Sequence, residues 1–392
     1  MKNNAYIIKS KRTPIGGYLG SLSGFSAPEL AAFAIADIIK TTGIDAAAVD
    51  EVILGNVLSA NIGQAPARQA AVKAGIPYDV DATTINKVCS SGLKSVSYGV
   101  QSIMLGNSQL VIAGGMESMS NSPFYLENHR QGNKAGHHLL TDGMIKDGLW
   151  DPYYDIHMGQ AAEHANKKYN ITREEQDEYT LETFFRTQQA IEKGYLSKEI
   201  VPVTVKSKKG EFLIDKDEDL SKFDPVKMRQ LKPIFDENGS VTAANASNLN
   251  DGAAAMLLAS GSFCENYHTL PEAMIVATAD AAQDPMWFTS SPALSIQKLL
   301  NQTGLSINDI DFFEINEAYA NVSIINARIL GIDMNKVNVH GGAVALGHPI
   351  GASGTRILGS LVNVLKQNNG KYGIAAICNG GGGSTAILIK NI

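Results

Sequence analysis

The chain contains two segments that resemble each other although they lie far apart. Residues 43–56 read GIDAAAVDEVILGN and residues 304–317 read GLSINDIDFFEINE, with glycine, aspartate and apolar residues at matching positions. With nearly the same offset, CSSGLK at residues 89–94 matches GASGTR at residues 351–356. Two related halves are therefore predicted, and the alternative is a chance similarity of two amphipathic units.

Short apolar runs alternate with segments of helical spacing, which is typical of α/β architecture. Strands are predicted over residues 5–9, 52–54 and 110–113, and helices over residues 29–40 and 90–105. The third strand is expected to end at Gly114 and Gly115, because glycine commonly marks the end of an element.

Residues 120–248 interrupt this pattern, since they are richer in Asn, His, Tyr and charged residues. One clear helix is predicted there, near residues 172–193, where Thr172 and Glu175 form a capping box. We interpret the region as a loop domain inserted into the first half. The predicted domains are an N-terminal half of residues 1–119 and 249–268, the loop domain of residues 120–248, and a C-terminal half of residues 269–392.

Composition excludes several classes of protein. Hydrophobic residues make up 44% of the 392 residues, which is enough for a large core. The net charge of −6 argues against a nucleic-acid-binding surface, and no apolar run approaches the roughly 20 residues of a membrane span. Three cysteines do not make a disulfide framework, so we expect a reducing cytoplasm.

Three glycine-containing motifs and one junction carry candidate chemistry. In NKVCSSG, Cys89 precedes a predicted helix, whose free N–H groups are expected to lower the thiol pKa; the alternative is a buried small hydrophobe. In GGAVALGHPIGASG, His348 lies in a Gly/Pro loop before a helix, whereas His340 lacks such a setting. In CNGGGGS, the glycines after Cys378 predict either a loop of converging N–H groups or a simple hairpin turn. Asn316 lies at a strand-to-helix junction in INEAYA, where Asn is also a common N-cap.

Together these motifs resemble the thiolase family over essentially the whole chain, and specifically its short-chain group. RTPIG near the start, GGMESMS, the HMG at residues 157–159 and NASNLNDGAAA at residues 245–255 extend the resemblance. The resemblance implies an α/β fold of five layers, α-β-α-β-α, made of two duplicated halves with five-stranded sheets and an inserted loop domain. It also implies reversible Claisen condensation of two acetyl-CoA to acetoacetyl-CoA and CoA, by a ping-pong mechanism.

The resemblance also implies the catalytic roles. Cys89 takes an acyl group from acyl-CoA after His348 accepts its proton, and Cys378 removes an α-proton from a second acetyl-CoA. The N–H groups of Cys89 and Gly380 stabilise the tetrahedral intermediate, while His348 and a water held by Asn316 stabilise the enolate. No metal and no permanently bound cofactor are expected, and CoA enters as substrate and product. The adjacent His137 and His138 are interpreted as loop surface.

A set of residues in and near the loop domain falls where family motifs contact CoA, although ordinary packing is the alternative for each. This set comprises Leu149, His157, Met158, Phe235, Ala243, Ala246 and Ser247. The arginine that usually faces the CoA phosphate is absent from the corresponding stretch, and the sequence does not choose among its substitutes Lys222, Lys227 and Arg229.

Several residues depart from the family pattern. Asn379, Gly383 and Ser384 replace the usual residues around the glycine loop, and Tyr319 replaces a phenylalanine, which leaves the shape of the acyl pocket open. Trp287 and Phe288 stand where smaller residues or Met are common. They are expected either to exclude long acyl chains or to belong to the core.

Three rival functions remain at this stage. A thiolase for longer 3-ketoacyl-CoA shares every catalytic residue. A ketosynthase is disfavoured by Cys378, and a catalytically silent binding protein is disfavoured because both Cys89 and His348 are present. Residues 120–140 resemble the segment that joins dimers into tetramers in the family, so we expect a homotetramer.

Overall fold

The computed structural model describes residues 4–132, 134–208 and 210–392, so the start of the predicted first domain lies outside the described residues. The strands of the described chain are β1 Ala5–Arg12, β2 Gly16–Gly17, β3 Glu51–Gly55, β4 Asp81–Ile85, β5 Leu110–Ser118, β6 Phe124–Leu126, β7 Leu140–Asp142, β8 Trp150–Asp151, β9 Ile156–His157, β10 Val203–Ser207, β11 Gly210–Ile214, β12 Asn250–Ser260, β13 Ala273–Ala282, β14 Phe312–Ile315, β15 Tyr372–Asn379 and β16 Gly383–Asn391.

The helices include those predicted from apolar spacing. In the described chain they are α1 Ala27–Thr42, α2 Pro66–Lys73, α3 Ser91–Leu105, α4 Met158–Tyr169, α5 Arg173–Glu192, α6 Pro225–Met228, α7 Gly261–Asn266, α8 Ser291–Thr303, α9 Ala320–Leu330, α10 Ala343–Leu346 and α11 Ser353–Gln367. The duplicated segments begin alike, because α1 and α8 end at left-handed Gly43 and Gly304 with φ of 67° and 71°. In the part of the chain that the structure describes, no helix has the length and apolar character needed to cross a membrane.

Ten strands of the described residues form one sheet in the order β14-β15-β16-β13-β1-β12-β5-β3-β4, with β2 paired to β12. The halves join where β1 pairs antiparallel with β13, so that Ala5 lies opposite Ile275. The resemblance implied a five-stranded sheet in each half. The second half instead supplies four strands of the shared sheet, β13 to β16. Beside β14, a single bridge joins Phe313 to Val337 where a fifth strand would lie.

The layers follow from the apolar faces of these elements. Helices α3 and α11 lie between the two halves, where Leu93 and Val96 pack in one cluster with Leu358 and Leu361. Helices α1 and α2 cover the outer face of the first half, and α8 and α9 cover that of the second. Each such leucine contributes about 1.5–3 kcal/mol by leaving water. The predicted α-β-α-β-α arrangement of two duplicated halves is confirmed.

Strand β5 continues to Ser118 and does not end at Gly114 and Gly115 as predicted. A Cβ on Gly115 would lie 1.9 Å from the Gly351 carbonyl oxygen, and one on Gly114 would lie 2.4 Å from that of Ala254. These glycines therefore mark close contact with neighbouring backbone rather than a turn.

The inserted region contains α4 as well as the predicted α5. Helix α5 begins at the expected capping box, with Thr172 Oγ1 accepting from the Glu175 N–H at 3.1 Å. Helix α4 is capped by His157, whose Nδ1 accepts from the Gly159 N–H at 3.0 Å. Histidine is not among the preferred N-cap residues, so sequence analysis missed this start.

A buried ion-pair network fastens the inserted region to β1. Arg12 Nε lies 2.7 Å from Glu199 Oε1, and its Nη1 lies 2.6 Å from Asp217 Oδ1. All three side chains are at most 4% exposed. Loss of one partner from such a network leaves a buried charge unpaired, at a typical cost of about 3–5 kcal/mol.

Candidate active site

A cavity of 410 Å³ lies where loops of both halves meet the inserted region. Cys89, His348 and Gly380 line it. So does each residue that was predicted to contact CoA, namely Leu149, His157, Met158, Phe235, Ala243, Ala246 and Ser247. Cys378 and Asn316 are buried behind this wall, at 0% and 1% exposure. The fold thus brings the predicted residues together from distant parts of the chain.

A strained turn presents Cys89 just before α3. Val88 has a φ of 48°, which is costly for a β-branched residue. Asn86 Oδ1 accepts from the Val88 N–H at 2.8 Å, and Ser91 Oγ accepts from the Lys87 N–H at 2.8 Å. Side chains on both sides of Cys89 therefore hold this turn in place.

Burial raises the pKa of Cys89 to about 12. Hydrogen bonds from the N–H groups of Gly380 and of Cys89 itself oppose this rise without cancelling it. The expectation that the helix start lowers the pKa of Cys89 is therefore wrong. Cys89 is a neutral thiol near pH 7, and it becomes a nucleophilic thiolate only when a base takes its proton.

His348 is held at its backbone and at both ring nitrogens. Its N–H donates to Asn250 Oδ1 at 2.8 Å, and its Nδ1 lies 2.6 Å from Ser353 Oγ. Its Nε2 lies 3.4 Å from Asn316 Nδ2. The preceding Gly347 has a φ of 107°, and a Cβ there would lie 2.5 Å from Asn250 Cγ. Only glycine fits this loop, which fixes the imidazole at the cavity wall.

The imidazole of His348 is neutral near pH 7. Burial, reinforced by the positive charge of Arg356, lowers the pKa of His348 to about 3. A neutral imidazole has one bare nitrogen, so His348 is able to accept a proton.

Cys378 is the last residue but one of β15, the strand that leads into the glycine loop. Strands β15 and β16 form the predicted hairpin, and Gly381 and Gly382 at its turn have left-handed φ of 81° and 78°. Burial raises the pKa of Cys378, and negative charge on Cys89 raises it further. The two thiols therefore influence each other electrostatically and do not ionise together.

Asn379, Gly383 and Ser384, which depart from the family pattern, fit together in the structure. Asn379 Oδ1 accepts from Ser90 Oγ at 2.8 Å, and its Nδ2 donates to the Gly380 carbonyl at 2.7 Å. A Cβ at position 383 would lie 2.6 Å from Asn379 Nδ2, so glycine makes room for this amide. Ser384 Oγ donates to a buried backbone carbonyl at 2.7 Å. These residues tie the hairpin to the turn that carries Cys89.

Glu117 joins loops from the two halves. Its buried carboxylate accepts from the N–H groups of Val57, Leu58 and Gly351 at 3.1, 3.0 and 2.9 Å, and from Asn56 Nδ2 at 2.8 Å. Burial raises the pKa of Glu117 to about 7 although these donors oppose the rise. Sequence analysis quoted its motif, GGMESMS, but gave Glu117 no role.

Aromatic rings close part of the cavity wall. The Tyr319 ring makes edge contacts with Phe235 and Phe288, each at 6.3 Å between centroids, and His157 stacks on Phe235 at 4.7 Å. Phe288 lines the cavity, as expected if it limits the length of the acyl chain. Trp287 packs instead against Lys168, whose Nζ lies 3.8 Å from its ring.

A smaller cavity of 240 Å³ adjoins the first, and Ala243 and Asn248 line both. Lys222 and Lys227 line the smaller cavity. Arg229 pairs with Glu178 on α5 instead, with Arg229 Nη2 2.7 Å from Glu178 Oε1. Lys222 and Lys227 are also paired with carboxylates, Lys222 with Asp219 at 2.8 Å and Lys227 with Asp224 at 3.2 Å. Their position beside the smaller cavity is what distinguishes them from Arg229.

The remaining histidines lie elsewhere. The ring of His340 packs on Tyr195 at 5.0 Å, and burial lowers the pKa of His340 to about 4. His137 and His138 are exposed. In the described chain, no group of three or more His, Cys, Asp or Glu side chains is arranged to hold a metal ion.

Two thiols and a neutral imidazole at the junction of duplicated α/β halves are the groups that a class of acyl-transferring enzymes with a nucleophilic cysteine uses. The family model of the thiolase N-terminal domain matches residues 5–262, and that of the thiolase C-terminal domain matches residues 269–391. The chain belongs to the thiolase family, and it is an acyltransferase.

Similar proteins cover nearly the whole chain. Acetyl-CoA acetyltransferase 2 of Arabidopsis thaliana is 52% identical over 387 residues, which are 98% of this chain and 96% of that protein. A Gibberella zeae acetyl-CoA acetyltransferase named as cytosolic is 46% identical, over 99% of this chain and 98% of that protein. The crystal structure of the Ascaris suum Acat5 thiolase in complex with coenzyme A has a TM-score of 0.94 and 41% identity, over 99% of this chain and 100% of that one.

The low pKa of His348 predicts a specific loss of stability in acid. Unfolded histidine titrates near 6.5, whereas folded His348 takes a proton only near pH 3. Below pH 6.5 the unfolded chain therefore binds the extra proton, and folding stability falls as the pH falls. At pH 5 this loss is about 2 kcal/mol, at about 1.4 kcal/mol per pH unit.

His348→Asn removes this titration. Urea unfolding at pH 7 and pH 5 is expected to show a loss about 2 kcal/mol smaller in the variant than in the wild type. An equal fall in the free energy of unfolding between pH 7 and pH 5 in both proteins would contradict a neutral, buried His348.

Proposed function

We propose that this enzyme is an acetyl-CoA acetyltransferase, which condenses two acetyl-CoA to acetoacetyl-CoA and CoA and runs the reverse thiolysis. One observation carries the proposal: Cys89, His348 and Gly380 line one cavity with Cys378 buried behind it. The names of the relatives support the acetyl substrate.

In the first half-reaction, Cys89 is the nucleophile. Neutral His348 accepts the Cys89 proton as the sulfur attacks the thioester carbonyl of acetyl-CoA. The N–H groups of Cys89 and Gly380 both act to lower the pKa of the Cys89 thiol, so they lie where they can receive the oxyanion that forms beside it. Collapse of this intermediate breaks the C–S bond of CoA, and His348 returns the proton to the leaving thiolate.

In the second half-reaction, Cys378 is the base. Its thiol proton first passes to His348, and the resulting thiolate removes an α-proton from a second acetyl-CoA. The enolate carbon then attacks the acetyl group on Cys89 and expels the Cys89 sulfur, which takes the proton from His348. The raised pKa of Cys378 makes its thiolate a strong base, which suits a weak carbon acid. The enolate oxygen is stabilised by His348 and by a water held by Asn316.

A short acyl group fits the aromatic wall. Phe288 and Tyr319 line the same cavity as Cys89, and both are buried. This supports the acetyl substrate over the longer 3-ketoacyl-CoA substrates of the rival thiolase.

CoA is a substrate and product here. Its pantetheine arm is placed along Leu149, His157, Met158, Phe235 and Ser247, and its phosphates beside Lys222 and Lys227 in the adjoining cavity.

We place the enzyme in the cytosol as a homotetramer. One relative is named as cytosolic. The hairpin of β6 and β7 exposes Phe124, Leu139 and Leu140 at 61%, 87% and 66%, which supports burial against another copy. Asn133 in this segment lies outside the described residues. Light scattering is expected to give four times the chain mass of 41.8 kDa, and a monomer mass would contradict the proposal.

The two catalytic thiols are separable. Cys378→Ala is expected to accept acetyl from labelled acetyl-CoA but to lose at least ~10²–10⁴ in acetoacetyl-CoA thiolysis, the usual contribution of a positioned base. Cys89→Ala is expected to fail at both steps. Intact mass of the trapped acyl-enzyme and the decay of acetoacetyl-CoA absorbance measure the two properties.

Cys264→Ala is the matched control, and it is expected to leave both properties unchanged. Near wild-type thiolysis by Cys378→Ala would remove Cys378 from the mechanism. An acetylated Cys89→Ala enzyme would show that another residue is the nucleophile.

Lys227 offers a test of where the CoA phosphates bind. Lys227→Gln is expected to raise the KM for acetoacetyl-CoA about threefold at constant kcat, because an exposed cation contributes about 0.2–1 kcal/mol to uniform binding. Arg229→Gln, outside the adjoining cavity, is expected to change nothing. Steady-state kinetics of thiolysis by both variants tests this prediction. Equal KM values for Lys227→Gln and wild type would contradict the placement of the CoA phosphates beside Lys227.

A further inference from the structure

Arg356 is a buried cation with few partners. It lies in the first turn of α11, at 3% exposure. Among the described residues, its Nη2 donates to Asn316 Oδ1 at 3.4 Å, and its Nε and Nη1 have no hydrogen-bond partner. A buried guanidinium is costly, so its presence beside a catalytic amide calls for an explanation.

Glu314 is a buried carboxyl group that acts electrostatically on Arg356. It lies on β14, two residues before Asn316, which directly follows the strand. Glu314 is 1% exposed, and burial raises its pKa to about 8 although the positive charge of Arg356 opposes the rise. Burial lowers the pKa of Arg356, and Glu314 is the largest influence that opposes this fall.

The contact with Arg356 fixes which way the Asn316 amide faces. A guanidinium only donates hydrogen bonds, so the atom of Asn316 that it meets must be the carbonyl oxygen. The amide nitrogen of Asn316 therefore points toward His348 Nε2, which lies 3.4 Å away.

The orientation of Asn316 in turn fixes the tautomer of His348. An amide nitrogen only donates, so His348 Nε2 must be the bare, accepting nitrogen and Nδ1 must carry the proton. Nδ1–H then donates to Ser353 Oγ at 2.6 Å, and the Ser353 hydroxyl donates to the Pro349 carbonyl at 3.0 Å. In this series of hydrogen bonds, from Asn316 Nδ2 to the Pro349 carbonyl, each bond therefore has only one possible donor and one possible acceptor.

We propose that Arg356 is a positioning residue that sets the tautomer of His348 through Asn316. A bare Nε2 is what His348 needs to take the Cys89 proton, so this inference rests on the proposed function. With the amide reversed, the Asn316 oxygen would favour Nε2–H, and His348 would be unable to act as the base toward Cys89.

A double-mutant cycle separates this role from a purely structural one. Arg356→Met combined with Glu314→Gln removes the guanidinium and keeps position 314 from ionising, so that no unpaired ion is left in the core. This pair is expected to lower thiolysis kcat about 10²-fold in the wild type, the lower end of the contribution of a positioned base. In an Asn316→Ala background it is expected to cost less than about threefold, because the residue through which it acts is gone.

An equal loss in both backgrounds would overturn the proposal, since a general disturbance of the core does not depend on Asn316. Thermal melting of all four proteins checks that the core is intact.

A second measurement uses the wild-type protein and does not depend on folding of the variants or on activity. Nitrogen-15 NMR of labelled histidine, with the His348 signals identified by their loss in His348→Asn, is expected to show a protonated Nδ1 and a bare Nε2. A proton on Nε2 would overturn the inference. If the wild type lacked thiolysis activity, the proposed function would fail while this result still stood.

Discussion

The contact between the backbones of the two halves is the constraint on which the site depends. Gly115 and Gly351 lie so close that a single Cβ on Gly115 would meet the Gly351 carbonyl at 1.9 Å. The Glu117 carboxylate then binds Gly351 from the second half together with Val57 and Leu58 from the first. Because these contacts leave little freedom, the loop of His348 and the turn of Cys89 face one cavity. Without this contact, holding Cys89 and His348 together would cost more conformational entropy, because they are far apart in the sequence.

Burial decides the electrostatics of this cavity. The shift of the Cys89 pKa from 9.0 to about 12 corresponds to about 4 kcal/mol in favour of the neutral thiol. A helix start typically contributes about 0.3–1 kcal/mol in the other direction, so desolvation wins. The same burial keeps His348 neutral. The site therefore holds a neutral thiol and a neutral base, and charge is separated only when a substrate reacts. Donors such as the Gly380 N–H then act where negative charge develops.

Much of this was predictable from the sequence, and the failures have physical causes. The duplication and the helix at Ser91–Leu105 followed from sequence similarity and apolar spacing, whereas the convergence of Cys89, His348 and Gly380 followed from the resemblance to the thiolase family. Gly114 and Gly115 were misinterpreted because a glycine needed for close backbone contact looks like a glycine at a turn. Helix α4 was missed because His157 caps it. Glu117, Asn250 and Arg356 were missed because their roles lie in contacts between distant segments, which one sequence does not display. The choice of Phe288 over Trp287 for the cavity wall likewise needed coordinates.

The central claim is that loops of both halves assemble one acyl-transfer site around Cys89. Peptide mapping of the wild-type protein after brief mixing with labelled acetyl-CoA and acid quenching tests it most directly. The account predicts a single thioester-linked acetyl group, on the peptide that carries Cys89. Label on the Cys378 or Cys264 peptide with Cys89 unmodified would contradict it, and so would an enzyme that releases acetoacetyl-CoA without ever carrying the label.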